Sequence, residues 1–237
     1  MIVEDLAKNK ELFESIEPGS GKKLQEYLDS SKDTYELSIK HFLYTNFQNI
    51  SNFTNKEVLS RAVTFAKHLV TSLYDFSGKY VKDERLKKIL NFPAVFLGAS
   101  PYDTPSMYHL MTHVDLNVGV YYPMGGLYSV IEAIERVAKQ HGVNIKTGSP
   151  VSKIEVNSQG LATGVVVGGA TIAADVVVGT ADLHHVETKL IAPKYQTFPE
   201  KFWSNKVPGP SAMLLYLGVK GKIPQLDHHT LLYTENW

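Results

Sequence analysis

The spacing of apolar residues changes near residues 117–119, and this change limits what the chain can fold into. Before it, apolar residues recur every three or four positions, the period of amphipathic helices. After it, short apolar runs alternate with glycine pairs and Asn/Ser turns, a pattern typical of strands. The chain has no internal repeat, so we expect a helical first half and a mixed second half of the α/β class.

Three amphipathic helices are expected in the first half. They cover residues 20–42, 54–74 and 83–92. Ser20 is a suitable N-cap for the first helix, and Thr54 or Asn55 is one for the second. The third helix starts at Asp83, and Pro93 disturbs it. The second helix is apolar over much of its circumference, so we expect it to be mostly buried or to face lipid.

A proline and a glycine pair interrupt the second half at Pro123 and Gly125-Gly126. The amphipathic helix that follows begins at Leu127, and Gly142 is placed to end it. We expect a short continuous apolar run at residues 176–178 to form a strand buried on both faces of a parallel sheet. The other expected strands are residues 120–122, 143–146, 154–156, 161–167, 170–172, 213–219 and 230–233, of which those at 154–172 form a three-stranded meander.

Composition excludes several classes of function. The chain carries 24 basic and 24 acidic residues, so it has no net positive field to attract nucleic acid. It contains no cysteine, so redox chemistry would have to come from a cofactor. The longest apolar run, residues 92–99, is far shorter than the roughly 20 residues of a spanning helix. Surface attachment to a membrane is compatible with this, and cytoplasmic is the default location.

The histidines do not form a recognisable metal or hydrolase motif. Adjacent histidines at 184–185 and 228–229 cannot readily chelate one ion, whether on a strand or on a helix. His109 and His113 share a helical face, but Leu110 stands where a metalloprotease motif has glutamate. The chain also lacks the Gly-x-Ser-x-Gly elbow of a serine hydrolase. We therefore expect no metal site.

Four segments in series resemble the phytoene desaturase (carotenoid desaturase) branch of the flavin amine-oxidase superfamily. They are residues 97–108, 122–127, 151–155 and 175–182. The resemblance implies an α/β fold that is part of a two-domain FAD-dependent oxidoreductase, with a helical substrate region, a mixed sheet and part of the FAD-binding domain. It divides the chain into a helical substrate-binding and membrane-facing region (1–118), a strand and helix of the substrate domain (119–141), a partial FAD-binding domain with the meander (142–184) and a return into the substrate-domain sheet (185–237).

The resemblance also implies site residues. Those expected to bind FAD are Val151, Thr180, Ala181 and Asp182. Those expected to face the substrate or the flavin ring are Tyr108, Tyr122, Met124, Gly125 and Gly126. Local sequence alone fits plainer roles equally well, because paired glycines also make a tight turn and aspartate also caps helices.

The implied activity is insertion of double bonds into a carotenoid precursor of the phytoene or diapophytoene type, with FAD as hydride acceptor. The catalytic residue is unknown, although Asp103, Tyr108 and Asp115 lie in the right region. The sequence lacks the Gly-x-Gly-x-x-Gly that holds the FAD pyrophosphate and the carboxyl-terminal segment that closes around the flavin. We therefore expect an internal part of a longer enzyme, inactive by itself and without bound FAD.

The expected partners are an apolar polyene substrate and a membrane surface, contacted through residues 42–53, which mix aromatic and uncharged polar side chains. A homo-oligomer is a further expectation, because the strands at 143–146 and 176–178 would lack neighbours. Two alternatives stay open. One is another flavin amine-oxidase relative, of the protoporphyrinogen or polyamine oxidase type. The other is a nonenzymatic module that binds apolar lipid.

Overall fold

The computed structural model describes residues 2–3, 5–46, 48, 54–206, 209, 211–226 and 229–233. The chain forms two compact units. The first combines Met1–Tyr121 with Gly209–Trp237, and the second is Tyr122–Pro208. The division of the chain into four functional regions stays a prediction.

The named secondary-structure elements of the first unit, among its described residues, are helices. Its α-helices are α1 (Leu6–Ile16), α2 (Ser20–Ser38), α3 (Lys56–Ser60), α4 (Ala62–Val70), α5 (Leu73–Ser77), α6 (Glu84–Asn91) and α7 (Leu110–His113). Shorter turns connect them. These are the π-helices Ile39–Leu43 and Val114–Val118 and the 3-10 helices Phe92–Leu97 and Ser106–His109.

The structure confirms the first and third expected helices, but Ser20 is the first residue of α2 and its N-cap is Gly19. Asp83 caps α6 by accepting a hydrogen bond from the Arg85 backbone N–H at 2.9 Å. The second expected helix is instead broken into α3, α4 and α5, and it is not mostly buried, since Val63 and Val70 are 70% and 85% exposed. A new N-cap at Ser72, which forms a β-bridge with Pro105, accounts for the last break.

The core of the first unit lies between α1, α2, α5 and α6. The buried side chains that form it are Phe13, Leu24, Tyr27, Leu28, Phe76, Val81, Leu86, Leu90 and Leu116. Tyr27 is fully buried, and its hydroxyl donates to the Leu90 carbonyl oxygen at 3.3 Å. Its ring packs edge-on against Tyr80 and tilted against Phe76, so one side chain of α2 holds the helices on both sides.

The second unit contains α8 (Tyr128–Gln140), α9 (Leu183–His185), α10 (Glu200–Trp203) and the strands β1 (Val151–Val156), β2 (Ala162–Val167) and β3 (Ala170–Ala173). The strands form an antiparallel sheet in the order β1-β2-β3, as the meander predicted. The Asn157 side chain closes the first turn by accepting from the backbone N–H groups of Gln159 and Leu161. Gly142 ends α8 at a φ of 78°, as expected.

Five expected strands are absent from the described residues. Residues 120–122, 143–146, 176–178, 213–219 and 230–233 have no strand conformation, so the only sheet there is antiparallel, and the expected mixed sheet is wrong. Val176 and Val178, expected to be buried on both faces, are 76% and 77% exposed. Apolar composition favours a strand, but a strand also needs neighbours that take its backbone hydrogen bonds, and no described residues supply them here.

A stacked pair of buried histidines joins α4 to the turn before α7. The rings of His68 and His109 lie 4.7 Å apart at 22°. His109 contacts the Ser106 carbonyl oxygen at 2.7 Å through Nδ1 and the Ser30 hydroxyl at 3.0 Å through Nε2. Burial, and then the charge of His68, lower the pKa of His109 to about 4, and burial together with the charge of Lys79 lowers the pKa of His68. Both rings are therefore neutral at pH 7.

We expect the first unit to lose stability as the pH falls from about 6.5 towards 4. A depressed pKa in the folded state means that the unfolded chain binds protons first, so the stabilisation is complete above the unfolded pKa and is lost as the pH falls through the folded one. For His109 the loss is on the order of 3 kcal/mol. Urea unfolding followed by near-ultraviolet circular dichroism at several pH values measures it.

The variant His109→Gln, which keeps hydrogen-bonding groups but has no titratable ring, is expected to flatten this pH dependence. The exposed His141 provides the matched control, and His141→Gln should leave the dependence unchanged. A wild-type free energy of unfolding that is constant over this pH range would contradict the assignment of neutral, buried histidines.

Candidate functional site

The glycine turn, defined as residues 122–126, lies directly before α8. Gly125 and Gly126 both have a φ of 93°, and the Gly126 N–H donates to the Pro123 carbonyl oxygen at 3.0 Å. The Ser129 hydroxyl donates to the Gly126 carbonyl oxygen at 2.7 Å and ties the turn to the helix. A Cβ at Gly125 would lie 3.7 Å from the Ser129 Cβ, which is an ordinary contact. The left-handed backbone, and not crowding, therefore requires glycine here.

An exposed apolar surface continues from the glycine turn along α8. Met124 is 93% exposed, and Tyr122 is also exposed. The apolar face of α8 is exposed as well, although such a face normally packs against a core. It consists of Val130, Ile131, Ile134 and Val137 and continues from the exposed cap residue Leu127. An apolar surface of this kind commonly contacts a ligand or another protein surface. The turn and helix thus present the kind of surface that an apolar ligand needs.

The expected FAD-binding residues lie elsewhere in the second unit. Val151 opens β1 opposite Val167 and is exposed. The π-helix Val186–Leu190 packs against β1, and Gly179 lies so close to Val186 that a Cβ would be 3.3 Å from its Cγ1. The segment leading to Thr180 therefore lies next to the π-helix Val186–Leu190, which contacts β1.

Asp182 has the structural role that its sequence allowed. It is the N-cap of α9, and its carboxylate accepts from the His185 backbone N–H at 2.9 Å. Thr180 and Ala181 are exposed before it. The role of Thr180 and Ala181 in binding FAD stays a prediction.

Tyr108, the remaining residue expected to face the substrate or flavin, lies in the first unit. It is partly buried within the 3-10 helix Ser106–His109, whose two end residues are fully buried. The glycine turn and the FAD-binding residues all lie in the second unit.

A cleft of about 430 Å³ lies in the first unit around Asp115. The sequence placed Asp115 among three residues in the right region and did not select it. The structure distinguishes the two aspartates by burial: Asp103 is exposed, whereas Asp115 is half-buried on the π-helix Val114–Val118. Burial raises the pKa of Asp115, and its charge, after burial, raises the pKa of Tyr233. A π-turn within a helical segment is a frequent mark of a functional site, but it has no simple sequence signal.

A second cleft, of about 590 Å³, is open and lies beside β2 and β3. It is lined by residues 157, 161–163 and 173–177, and so by none of the expected site residues. Its wall includes the exposed segment that was expected to be a buried strand.

The family model for flavin containing amine oxidoreductases matches residues 7–235. The chain belongs to the flavin containing amine oxidoreductase family. This confirms the resemblance drawn from the four sequence segments, and the family implies a flavin cofactor.

Curated relatives narrow the comparison to carotenoid desaturases. The chain is 33% identical over 225 residues to a carotenoid 3,4-desaturase from Haloarcula japonica, and this match covers 95% of this chain and 45% of that protein. It is also 33% identical over 226 residues to a zeta-carotene-forming phytoene desaturase from Myxococcus xanthus, and this match covers 95% of this chain and 43% of that protein. The chain therefore spans less than half the length of these relatives.

One solved structure, an oxidoreductase from Methanosarcina mazei, matches 51% of this chain and 30% of its own at 26% identity. The TM-score of 0.38 is too low for a conclusion about the fold.

Replacing both glycines of the turn with alanine should destabilise the second unit. Because each position requires a positive φ, we expect a loss of about 1 to 2 kcal/mol for each substitution, caused by backbone strain. Chemical denaturation of Gly125→Ala and Gly126→Ala measures it. The matched control is Gly218→Ala, where a Cβ meets no atom within 4 Å and φ is not in the left-handed region. Equal stability of all four proteins would contradict the observed turn geometry.

Proposed function

We propose that this chain is part of an FAD-dependent desaturase that inserts double bonds into a carotenoid precursor of the phytoene or diapophytoene type. The observation that carries this proposal is the similarity to curated carotenoid desaturases over 95% of the chain. The exposed apolar surface of the glycine turn and α8 supports it, because a polyene without polar groups is bound through shape and apolar contact.

The cofactor of the proposed reaction is FAD, which when bound accepts a hydride from one carbon of the substrate, while the adjacent carbon loses a proton to a base or to water. In this chain Val151 would offer backbone hydrogen bonds to FAD, and Thr180, Ala181 and Asp182 would lie along its edge. The sequence supplies no Gly-x-Gly-x-x-Gly for the pyrophosphate. We therefore propose that the chain alone does not retain FAD and is inactive.

We propose that the role of the protein in this reaction is to position the polyene against the flavin ring. The glycine turn lets the backbone approach the flavin ring without an intervening Cβ. Tyr122 and Met124 would hold the polyene beside that ring, and the apolar side chains of α8 would exclude water from the reacting bond. Binding of this kind aligns the C–H bond that is broken, and alignment lowers the barrier without a charged group.

A chimaeric enzyme tests the proposed activity. In the Haloarcula japonica carotenoid 3,4-desaturase, the aligned segment is replaced by this chain, and the product is expressed in bacteria that accumulate carotenoid precursors. We expect desaturated products with longer-wavelength absorbance, resolved by liquid chromatography. The chain expressed alone should give none, because it lacks the pyrophosphate-binding motif.

The control for this experiment is the flavin content of the purified chimaera. A chimaera that folds, contains FAD and leaves every polyene unchanged would contradict the desaturase proposal. If that protein still retained polyene through purification, the nonenzymatic lipid-binding alternative would replace it. Oxidation of a polyamine or of protoporphyrinogen would favour another branch of the family.

We also propose that the chain contacts a membrane surface through residues 42–53. Of this stretch, residues 47 and 49–53 lie outside the described residues. Leu43 and Tyr44 are 63% and 85% exposed, which supports a role at an interface. No helix among the described residues is long and apolar enough to cross a membrane.

Liposome co-sedimentation tests the proposed contact. We expect the double variant Phe47→Ser and Phe53→Ser to bind vesicles several times more weakly than the unchanged chain, because aromatic rings contribute most to insertion at the interface. Leu161→Ser, at an exposed apolar residue of the second unit, is the matched control. Equal sedimentation of the double variant and the unchanged chain would rule out this segment.

Self-association is a further proposal. The exposed apolar residues Val176 and Val178 support it, because a segment that has no strand partner among the described residues can pair with another copy.

A further inference from the structure

Helix α4 of the first unit turns an apolar face outward. Five of its residues are aliphatic and exposed, and Val70 is the most exposed of them at 85%. They are Ala62, Val63, Ala66, Leu69 and Val70. At 3.6 residues per turn these positions fall within roughly 120° of the helix circumference, so they form one continuous surface, which we call the α4 stripe.

The inner side of α4 carries a polar residue instead. His68 is buried there, and its Nδ1 atom contacts the Ser106 hydroxyl at 2.9 Å. Phe65, on the same side, is half-buried. A helix that faces water normally turns its apolar side inward, so α4 has the opposite arrangement. Its apolar circumference predicted either burial or contact with lipid, and the exposure of the α4 stripe removes the first possibility.

The element that carries the α4 stripe packs against the segment already proposed to contact a membrane. The ring centroids of Phe42 and Phe65 lie 5.7 Å apart, so α4 contacts the π-helix Ile39–Leu43. That π-helix ends at the exposed Leu43, and the exposed Tyr44 follows it. Two exposed apolar surfaces of the first unit are therefore held on neighbouring elements.

Basic side chains flank the α4 stripe. Among the nine described residues of α4, only Lys67 is charged at pH 7, and it is exposed beside the stripe. Lys56 is exposed on α3. Glu57 is the one acidic residue in the stretch 54–71, and it pairs with Lys40. The charge next to this apolar surface is therefore positive, which complements a surface of anionic headgroups.

Resting on the membrane contact proposed above, we propose that α4 lies in the headgroup region of an anionic lipid bilayer. The α4 stripe faces the acyl chains, and Lys67 lies at the level of the phosphate groups. A helix of nine residues is about 14 Å long, so it lies along the surface and does not cross it. Contact with the acyl chains removes the stripe from water, and each lysine near anionic headgroups adds to the attraction.

A protein partner fits this surface less well than lipid does. Protein interfaces are typically centred on aromatic or arginine side chains, and all five residues of the α4 stripe are aliphatic. A fluid bilayer adapts to the shape of the helix and needs only an apolar face with cations beside it. The α4 stripe and Lys67 meet that requirement.

Co-sedimentation of the purified chain with two kinds of vesicle tests this. One kind is phosphatidylcholine alone, and the other is an equimolar mixture with phosphatidylglycerol. We expect the double variant Val63→Ser and Val70→Ser to bind the mixed vesicles roughly tenfold more weakly than the unchanged chain, because two exposed side chains lose their contact with acyl chains. Leu215→Ser with Leu217→Ser, at similarly exposed residues of the same unit, is the matched control and should bind as the unchanged chain does.

The requirement for anionic lipid is tested at Lys67. Lys67→Gln should bind the mixed vesicles about fivefold more weakly, the effect of one lysine near an anionic surface, and phosphatidylcholine vesicles equally well. Lys189→Gln, at an exposed lysine of the second unit, is the control for overall charge. Circular dichroism establishes that each variant is folded.

A fluorescent label reports which side of α4 enters the lipid. The chain contains no cysteine, so Ala66→Cys and Thr64→Cys each provide a single attachment site for an environment-sensitive fluorophore. Both residues are exposed, but Thr64 lies outside the α4 stripe, on another side of the helix. We expect the label at residue 66 to shift to shorter wavelength on mixed vesicles and to be quenched by nitroxide-labelled acyl chains. The label at residue 64 should do neither.

Several results would overturn the inference. They are equal binding by the unchanged chain and the double valine variant, equal binding of the unchanged chain to the two kinds of vesicle, and a label at residue 66 that stays in water. A shift of that label with rising protein concentration in the absence of lipid would identify a second copy of the chain as the occupant.

The outcome for α4 is separable from those of the proposed function. Binding that is lost with Phe47→Ser and Phe53→Ser but kept by the double valine variant overturns the role of α4 and leaves the contact through residues 42–53. An active chimaera together with a chain that binds no vesicles overturns both membrane contacts and leaves the desaturase. An inactive, FAD-containing chimaera together with binding that depends on the α4 stripe overturns the desaturase and leaves the role of α4.

Discussion

The buried ring of Tyr27 is the contact on which the helical unit depends. It packs against Phe76 and Tyr80, stacks edge-on against His109 and donates its hydroxyl hydrogen to the Leu90 carbonyl oxygen. These partners lie on four different segments, so one residue of α2 fixes α5, α6 and the turn before α7. A large aromatic ring can do this because it buries more apolar area than an aliphatic side chain and still satisfies its one polar atom.

The position of Asp115 follows from this packing. His109 is held by Tyr27 and by hydrogen bonds to Ser30 and Ser106. The chain then continues directly through α7 into the π-helix that carries Asp115, and the buried Leu116 anchors that turn in the core.

The second unit has a different physical character. Its strands are held by local antiparallel pairing, and α8 has no buried residue. Local pairing needs only a short loop, whereas a parallel pair needs a distant partner. The unit consequently keeps the glycine turn and the capped α9 in defined conformations while a large apolar surface stays exposed. That exposed surface lies directly after the turn of two glycines, whose backbone has a positive φ at both positions.

The sequence by itself determined the elements whose stability is local. The helix starts near Asn55 and at Asp83, the end of α8 at Gly142 and the Asn157 turn of the meander were predictable, because each depends on hydrogen bonds or φ angles within a few residues. Four short segments in order also predicted the family. Tertiary structure decided the rest. It decided that Val176–Val178 does not pair as a strand and where the long second helix breaks. It also decided that Asp115, and not Asp103, is half-buried. These outcomes depend on contacts between distant residues, which no local sequence pattern encodes.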